Sequence, residues 1–259
     1  MRVPVVQHTI RRQRARRRRA LWTGGELLVT AGLVLLLLVV HQLWWTNREA
    51  RRGAERKVEA LEREWGDGAT GKGDDSGTSV PAATPQPRSG SSTRSRQETT
   101  AAAQPRPSWS QAYAVLVIPR LGLRVPVAEG VSKRDVLNKG YVGHYPGTGQ
   151  PGQAGNFALA GHRNTHGEPF RYINRLRAKD LVEVETRTAT YTYAVGRTLP
   201  QTSARDSGVV RPVPRSIVEP RYGYSEPGYY ITLTTCTPEY TSRYRLVVWG
   251  KLVSMRPRS

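Results

Sequence analysis

The sequence predicts a mainly β domain, a barrel or a sandwich, that follows a transmembrane helix and a disordered stalk. Three observations support this class: an apolar run at 27–45, a segment without apolar periodicity at 66–108, and short β-rich runs divided by Gly and Pro over 112–255. The chain has 259 residues, which allows about one or two ordinary domains. The folded head is therefore expected to be only part of the chain.

The apolar run LLVTAGLVLLLLVVHQLWW at 27–45 has about the length that a membrane-spanning helix needs. A cleaved signal peptide and a buried helix are the alternatives. Trp44 and Trp45 make a poor cleavage site and a good interfacial anchor, which favours an uncleaved single-pass anchor over residues 21–46. Residues 1–20 carry eight Arg and no acid, so the positive-inside bias predicts a cytoplasmic tail and an extracellular head.

Residues 47–108 are predicted to form an extracellular stalk. Its first part, NREARRGAERKVEALERE at 47–64, is expected to continue as a short charged helix, and 66–108 are dominated by Pro, small polar residues and charge. The net charge of +20 falls partly on the tail and partly on 109–259, where 21 basic and 10 acidic residues are spread without a basic or aromatic-basic cluster. We therefore expect an anionic membrane or cell-wall surface nearby, and no nucleic acid.

Residues 109–259 are predicted to form the folded head. Seven runs have the composition of strands: AYAVLVIP, LRVPVAEG, GNFALAGH, LVEVETR, ATYTYAVG, YYITLTTC and YRLVVWG. Their spacing predicts one antiparallel barrel or sandwich. Two helical interruptions are also expected, SKRDVLNKG with Ser132 as its cap, and PFRYINRL, which puts Phe170, Ile173 and Leu176 on one face.

The single cysteine of the chain, Cys236, lies at the end of YYITLTTC, so no internal disulfide can form. Strand alternation puts Thr235 on one face of this run and Cys236 on the other. A lone cysteine is commonly an inert core residue, but a position at a strand end beside a turn favours a reactive thiol. Such a thiol needs a base or a cation nearby.

Three of the five histidines lie in the head: His144, His162 and His166. His162 follows the strand-like NFALAG and so shares the strand-end position of Cys236, whereas the other two lie in Gly-rich loops, where structural or solvated imidazoles are expected. Arg243 and Arg245 lie at the start of the run YRLVVWG, Arg243 just before it and Arg245 within it, and a strand through both would put them on one face. If this strand is the hairpin partner of YYITLTTC, an arginine faces Cys236 and can stabilise an oxyanion.

These residues resemble those of sortases, the cysteine transpeptidases that anchor surface proteins to Gram-positive cell walls. TLTTC at 232–236, RLVVWG at 245–250 and LAGHR at 159–163 are similar to the family's TLxTC strand, arginine strand and catalytic histidine. GHYPGTG before the histidine and TCTP at the cysteine most resemble class E sortases of actinobacteria. The resemblance covers residues 112–255 and implies a closed antiparallel β-barrel of about eight strands with short helices.

The resemblance also implies roles for these residues. Cys236 would be the nucleophile and His162 the acid and base. Arg245, which aligns with the family's arginine strand, would orient the peptide and stabilise the oxyanion, with Thr235 and Arg243 as further substrate-binding candidates. The implied partners are secreted proteins with a C-terminal sorting signal, LAxTG-like or LPxTG-like, which is cut between Thr and Gly, and an amine of a peptidoglycan precursor at the outer face of the cytoplasmic membrane. No cofactor or metal is implied.

Three alternatives remain open from the residues alone. Another extracellular cysteine acyltransferase or peptidase acting on the cell wall would share the anchor and the thiol. A pilin-polymerising sortase would use a lysine of another protein as its amine. A non-catalytic wall-binding module would not need the thiol. The chain contains no P-loop or dinucleotide fingerprint, so nucleotide chemistry is not expected.

Overall fold

The computed structural model describes residues 8–70 and 107–258, which form one long helix and a closed barrel of eight strands. The helix is α1 (His8–Thr70). The strands are β1 (Ala112–Ile118), β2 (Leu123–Glu129), β3 (Val142–His144), β4 (Gly155–Ala160), β5 (Leu181–Thr186), β6 (Ala189–Ser203), β7 (Tyr229–Thr237) and β8 (Tyr244–Pro257). Around the barrel their order is β1-β2-β3-β4-β7-β8-β6-β5. The predicted mainly β class and the closed eight-stranded barrel are confirmed.

The strand directions differ from the wholly antiparallel barrel that was expected. Among the described strands six neighbouring pairs are antiparallel, whereas β2 with β3 and β4 with β7 are parallel. Parallel neighbours require a long crossover, and between β4 and β7 the chain makes the β5–β6 hairpin on the far side of the barrel. This crossover makes β4 and β7 end at the same rim.

All seven predicted runs form strands. The eighth strand, β3, has only three residues, too few to show alternation in the sequence. Two strands are longer than predicted, with 15 residues in β6 and 14 in β8. They pair from Ala189↔Pro257 to Ser203↔Tyr244, so each supplies the ladder partners that keep the other extended.

The barrel interior holds the main apolar core. The three apolar residues predicted to share one face are all buried in it: Phe170, Ile173 and Leu176. The two expected helical interruptions are short 3₁₀ turns, Leu137–Lys139 and Ile173–Arg175. Ser132 does not cap the first of these turns, which follows Val136 without a side-chain cap; the Ser132 Oγ accepts a hydrogen bond from the Asp135 backbone N–H at 3.3 Å in the turn before it.

The first half of α1 contains the apolar run. The segment Leu21–Gly66 includes a stretch long and apolar enough to cross a membrane, and that stretch is buried nowhere in the structure. Its leucines and valines from Leu27 to Val40 are at least half exposed, for example Leu36 at 60%. An exposed apolar helix of this length fits a membrane anchor, because lipid would cover such a surface.

The second half of α1 packs against the barrel. Five apolar residues are buried along one face of the helix: Ala50, Ala54, Val58, Leu61 and Trp65. Val58, Leu61 and Trp65 form a cluster with residues of β1 and β2. On the rim of this contact, Arg124 of β2 forms ion pairs with both Glu62 of α1 and Glu185 of β5.

Part of the predicted stalk, residues 47–66, therefore belongs to the packed structure. The physical reason is the spacing of the five apolar residues, every third or fourth position, which gives a continuous stripe within a segment otherwise made of charges. Of the remaining predicted stalk, 71–106 lies outside the described residues, as do the first seven residues of the tail.

Candidate active site

The pairing of β4 with β7 brings His162 next to Cys236. The two strands run parallel with a constant offset of 74 residues, from Gly155↔Tyr229 to Ala160↔Thr234. The Gly161 N–H continues the register by donating to the Thr234 carbonyl at 3.1 Å. Extended by two positions, the same offset sets His162 beside Cys236, at the rim where both strands end.

Two further contacts hold this register. The Thr235 hydroxyl donates to the Gly161 carbonyl at 2.8 Å. On the other side of His162, Arg163 donates from Nη1 to the Cys236 carbonyl at 3.2 Å and to the Thr237 hydroxyl at 2.8 Å. The residues on each side of His162 are thus hydrogen-bonded to Cys236 or to residues close to it in β7.

Cys236 combines a fixed backbone with an accessible side chain. The preceding residues of β7 from Tyr230 to Thr235 are all buried, whereas Cys236 is partly exposed. After Thr237 the chain leaves the sheet through a cis bond to Pro238. A partly exposed thiol at the end of a rigid strand can meet an incoming peptide without moving the fold.

Arg245 lies directly across the β7–β8 ladder from Cys236. Residues opposite each other in an antiparallel pair project their side chains on the same face, so the guanidinium and the thiol share one side of the sheet. The Arg245 Nη1 donates to the carbonyls of Ser242 at 2.9 Å and Tyr244 at 3.0 Å. Within the described residues Nε and Nη2 make no hydrogen bond, so these donors are available to a substrate carbonyl.

Arg243 occupies a different environment. Strand β8 begins at Tyr244, so the alternation that was expected to put Arg243 on the face of Arg245 does not reach it. Its side chain is exposed, and its guanidinium lies 5.2 Å from the centre of the Tyr244 ring. For the two arginines to share a face, the strand would have to begin at Arg243. It begins one residue later, so Arg243 belongs to the turn after β7 and Arg245 to the strand.

Thr235 is buried, with 3% of its surface exposed. Its hydroxyl, predicted to help bind substrate, is bonded to the Gly161 carbonyl and so serves the register between β4 and β7. Its backbone pairs with Leu246 in the β7–β8 ladder. The structure therefore gives Thr235 a part in positioning His162.

His162 is held by groups that the sequence did not associate with it. Its Nε2 lies 2.9 Å from Oδ1 of Asn138, in the 3₁₀ turn between β2 and β3, and its ring stacks on His166 with 5.3 Å between centroids. Burial, together with smaller contributions from the nearby His166 and Lys133, lowers the pKa of His162 to about 4. The imidazole is therefore neutral at physiological pH.

The tautomer of His162 follows from its partner. The amide oxygen of Asn138 can only accept, so Nε2 carries the proton of the neutral ring. Nδ1 then has a free lone pair. A neutral imidazole with one free nitrogen can take a proton from a thiol or an amine, which is the role of a general base.

Two residues of this site escaped the sequence interpretation. Asn138 lies 24 positions from His162 in a segment interpreted as a capped helix, and no local pattern connects the two. Arg163 is part of the LAGHR motif, but its contact with Cys236 depends on the β4–β7 register. Of the other head histidines, His144 is structural, since it is fully buried on β3 with its Nδ1 2.6 Å from Oε2 of Glu129.

Comparison with known proteins identifies the family. A sortase-domain family model matches residues 116–253. Sortase SrtE1 of Streptomyces coelicolor is 42% identical over 224 residues, which are 85% of this chain and 53% of that protein, so the chain spans about half the length of this relative. Sortase SrtE2 of the same organism is 35% identical over 234 residues, which are 88% of this chain and 80% of that protein.

A solved structure leads to the same family. The crystal structure of sortase E1 from Streptomyces coelicolor with a tripeptide in its active site matches with a TM-score of 0.55 and 52% identity, over 57% of this chain and 92% of that one. The family model covers more than half of the chain, and its span includes Cys236, His162 and Arg245. The chain therefore belongs to the sortase family of cysteine transpeptidases.

Proposed function

We propose that this protein is a membrane-anchored transpeptidase. It cuts a C-terminal sorting signal, LAxTG-like or LPxTG-like, between Thr and Gly, and joins the new carboxyl end to an amine of a peptidoglycan precursor. The observation that carries the proposal is the convergence of three groups at one rim. The β4–β7 offset brings a neutral imidazole beside the only thiol of the chain, and the β7–β8 ladder puts a guanidinium opposite that thiol.

In the first step Cys236 attacks the Thr carbonyl. The thiol proton passes to Nδ1 of His162 as the S–C bond forms, and Arg245 donates to the oxyanion. The C–N bond to Gly then breaks, and the protonated His162 gives its proton to the leaving amine. This imidazolium is a better proton donor than an ordinary one, since the pKa of His162 is lowered to about 4, mainly by burial. The product is a thioester between Cys236 and the protein.

In the second step the incoming amine attacks the thioester. It loses a proton to the neutral His162 as the new C–N bond forms. The C–S bond breaks, and the departing sulfur of Cys236 recovers the proton from His162. One amide bond is broken and one is made, so the overall transfer needs no external energy source. The tripeptide bound by the active site of the Streptomyces coelicolor relative supports a peptide substrate for this site.

The predicted membrane anchor supports the proposal that the enzyme acts at the outer face of the cytoplasmic membrane. The apolar, exposed part of α1 would span the bilayer, and the eight arginines within residues 1–20 would keep the N-terminus inside. Protease added to intact cells should remove the barrel and spare a tag placed at the N-terminus. A barrel that survives in intact cells and is cut only after lysis would contradict this topology and the role at the cell wall.

The activity is tested on the full chain in detergent. LAxTG and LPxTG peptides are incubated with and without an amine such as triglycine, and products are identified by mass spectrometry. The expected result is an amide joining Thr to the added amine, formed by the wild type and not by Cys236→Ala.

Other products would favour the alternatives. Cleavage that uses water and ignores the amine indicates a peptidase. Transfer only to a lysine of a protein indicates a pilin-polymerising enzyme. No product, together with an unchanged cell-wall phenotype of Cys236→Ala, indicates a binding module.

A further inference from the structure

Helix α1 contacts both loops that hold His162. One is the turn that contains Asn138, and the other is the loop that follows His162 and contains His166. Gly140, two residues after Asn138, lies against the backbone of α1, and a Cβ added there would be 2.8 Å from the Ala50 carbonyl oxygen. Gly167, five residues after His162, lies against Arg51, and a Cβ there would be 3.4 Å from its backbone nitrogen. Both glycines have positive φ, +81° and +84°, which side chains with a Cβ rarely adopt. The backbone of α1 therefore sits in contact with both loops at one turn.

Glu168 joins this turn of α1 to the loop after His162. Its carboxylate is 5% exposed and accepts hydrogen bonds from Asn47 Nδ2 at 2.8 Å and Arg51 Nη2 at 3.1 Å. The same two side chains bind the backbone of Gly167. Arg51 donates from Nε to its carbonyl at 3.1 Å, and Asn47 accepts from its N–H at 3.4 Å. Four polar contacts thus fix two consecutive loop residues to residues 47–51, here called the juxtamembrane turn.

The network continues to the loop after Cys236. Arg171 donates from Nη1 to Glu168 at 2.7 Å, and this bond raises the pKa of Arg171. Its Nη2 donates to the Tyr240 hydroxyl at 2.9 Å and lies 2.9 Å from Oε1 of Glu239. Tyr240 and Glu239 lie in the turn that connects β7 to β8. Glu168 and Arg171 therefore connect α1, the His162 loop and the turn between Cys236 and Arg245.

The strain in the His162 loop explains why it needs such support. His166 and Glu168 both adopt left-handed backbone conformations, with φ of +52° and +54°, which non-glycine residues rarely populate. Such conformations persist only when the surroundings enforce them. His166 is also the ring against which His162 stacks. The contacts of the juxtamembrane turn therefore act on a strained segment that touches the imidazole itself.

We propose that the juxtamembrane turn, acting through Glu168, is a positioning element of the active site that holds the His162 imidazole against the Cys236 rim. Helix α1 thus contributes to catalysis as well as to membrane attachment. Asn47 and Arg51 lie two and six residues after Trp45, so about 3–9 Å of helix separates the end of the apolar run from the two residues that bind Glu168. The proposal rests on the transpeptidase function given above.

The test uses the full chain in detergent and changes only the helix side of the contact. Asn47→Ala combined with Arg51→Met removes the α1 partners of Glu168 and Gly167, and Arg51 is 57% exposed, so the substitutions leave the core intact. Arg52→Met is the matched control, because Arg52 is the exposed neighbour on the same helix and makes no ion pair or hydrogen bond within the described residues. Arg51→Lys keeps the charge opposite Glu168 but loses the bond from Nε to Gly167.

Two quantities are measured well below the melting temperature of each variant. The first is kcat and KM for peptide transfer. The second is the titration midpoint of His162 by NMR, with its resonance assigned by its loss in His162→Gln. The double variant should lower kcat on the order of 10-fold or more, with KM changed less than about twofold, because it misplaces a catalytic group without removing a substrate contact. Its His162 midpoint should rise, because a loosened loop exposes the ring to water.

Arg51→Lys should give intermediate values, and Arg52→Met should match the wild type. A double variant with wild-type kcat and midpoint would overturn the proposal. A loss of kcat with an unmoved midpoint would also overturn it, since His162 would then not be the group affected. If the wild type forms no transfer product at all, the proposed function fails, and the NMR comparison still tests the positioning role independently.

Discussion

Arg245→Lys is expected to slow formation of the acyl-enzyme by on the order of 10²-fold or more. Arg245 uses Nη1 to bind the carbonyls of Ser242 and Tyr244 and keeps Nε and Nη2 for the face it shares with Cys236. A lysine has a single nitrogen, which cannot hold those carbonyls and reach an oxyanion beside Cys236 at the same time. The loss of one oxyanion donor corresponds to about 3 kcal/mol of transition-state stabilisation.

The assay measures single-turnover acylation of the full chain by a sorting-signal peptide without an added amine, with the thioester on Cys236 followed by intact mass spectrometry. Arg243→Lys is the matched control, since Arg243 precedes β8 and its side chain is exposed. This variant should lose less than about threefold, as expected for a surface charge. Equal rates for both variants would refute the role of Arg245, and a larger loss for Arg243→Lys would mean that the β7–β8 register used here is incorrect.

Three further predictions concern the catalytic pair and the helix. Cys236→Ala should abolish both cleavage and transfer, because the chain has no other thiol, and His162→Ala should do nearly the same in the peptide assay. By NMR His162 should titrate near pH 4, as its pKa is lowered to about 4, and Lys133→Met should raise the midpoint. In the unfolded chain His162 binds its proton near the ordinary pKa of about 6.5, whereas in the folded protein it does so only near 4. The free energy of unfolding should therefore decline as the pH falls from about 6.5 towards 4, because the unfolded state then binds the proton and the folded state does not. Denaturant titration at several pH values would detect this decline. Leu61→Ala should lower the free energy of unfolding by about 2–3 kcal/mol, whereas Glu59→Ala on the exposed side of α1 should change it by less than about 0.5 kcal/mol. A Leu61→Ala protein as stable as Glu59→Ala would mean that α1 does not pack on the barrel.

Much of the strand content could be predicted because β propensity and alternation are local properties. The runs that became β1, β2 and β4 to β8 are each long enough to show them, whereas the three residues of β3 are not. The packed face of α1 was also present in the sequence, as five apolar residues from Ala50 to Trp65 at helical spacing. The charges around them dominated the composition, so the segment was interpreted as a stalk.

The sequence by itself determined which residues are candidates for the chemistry. A single thiol, a histidine at a strand end and an arginine in the next apolar run are chemical identities, and they needed no coordinates. Their proximity was decided only by the tertiary structure. The 74-residue offset that sets His162 beside Cys236 comes from parallel pairing of β4 with β7, which depends on closure of the whole barrel. The same holds for Asn138, Glu168 and the juxtamembrane turn, because contacts between residues tens or hundreds of positions apart are fixed by packing and leave no periodic signal in the chain.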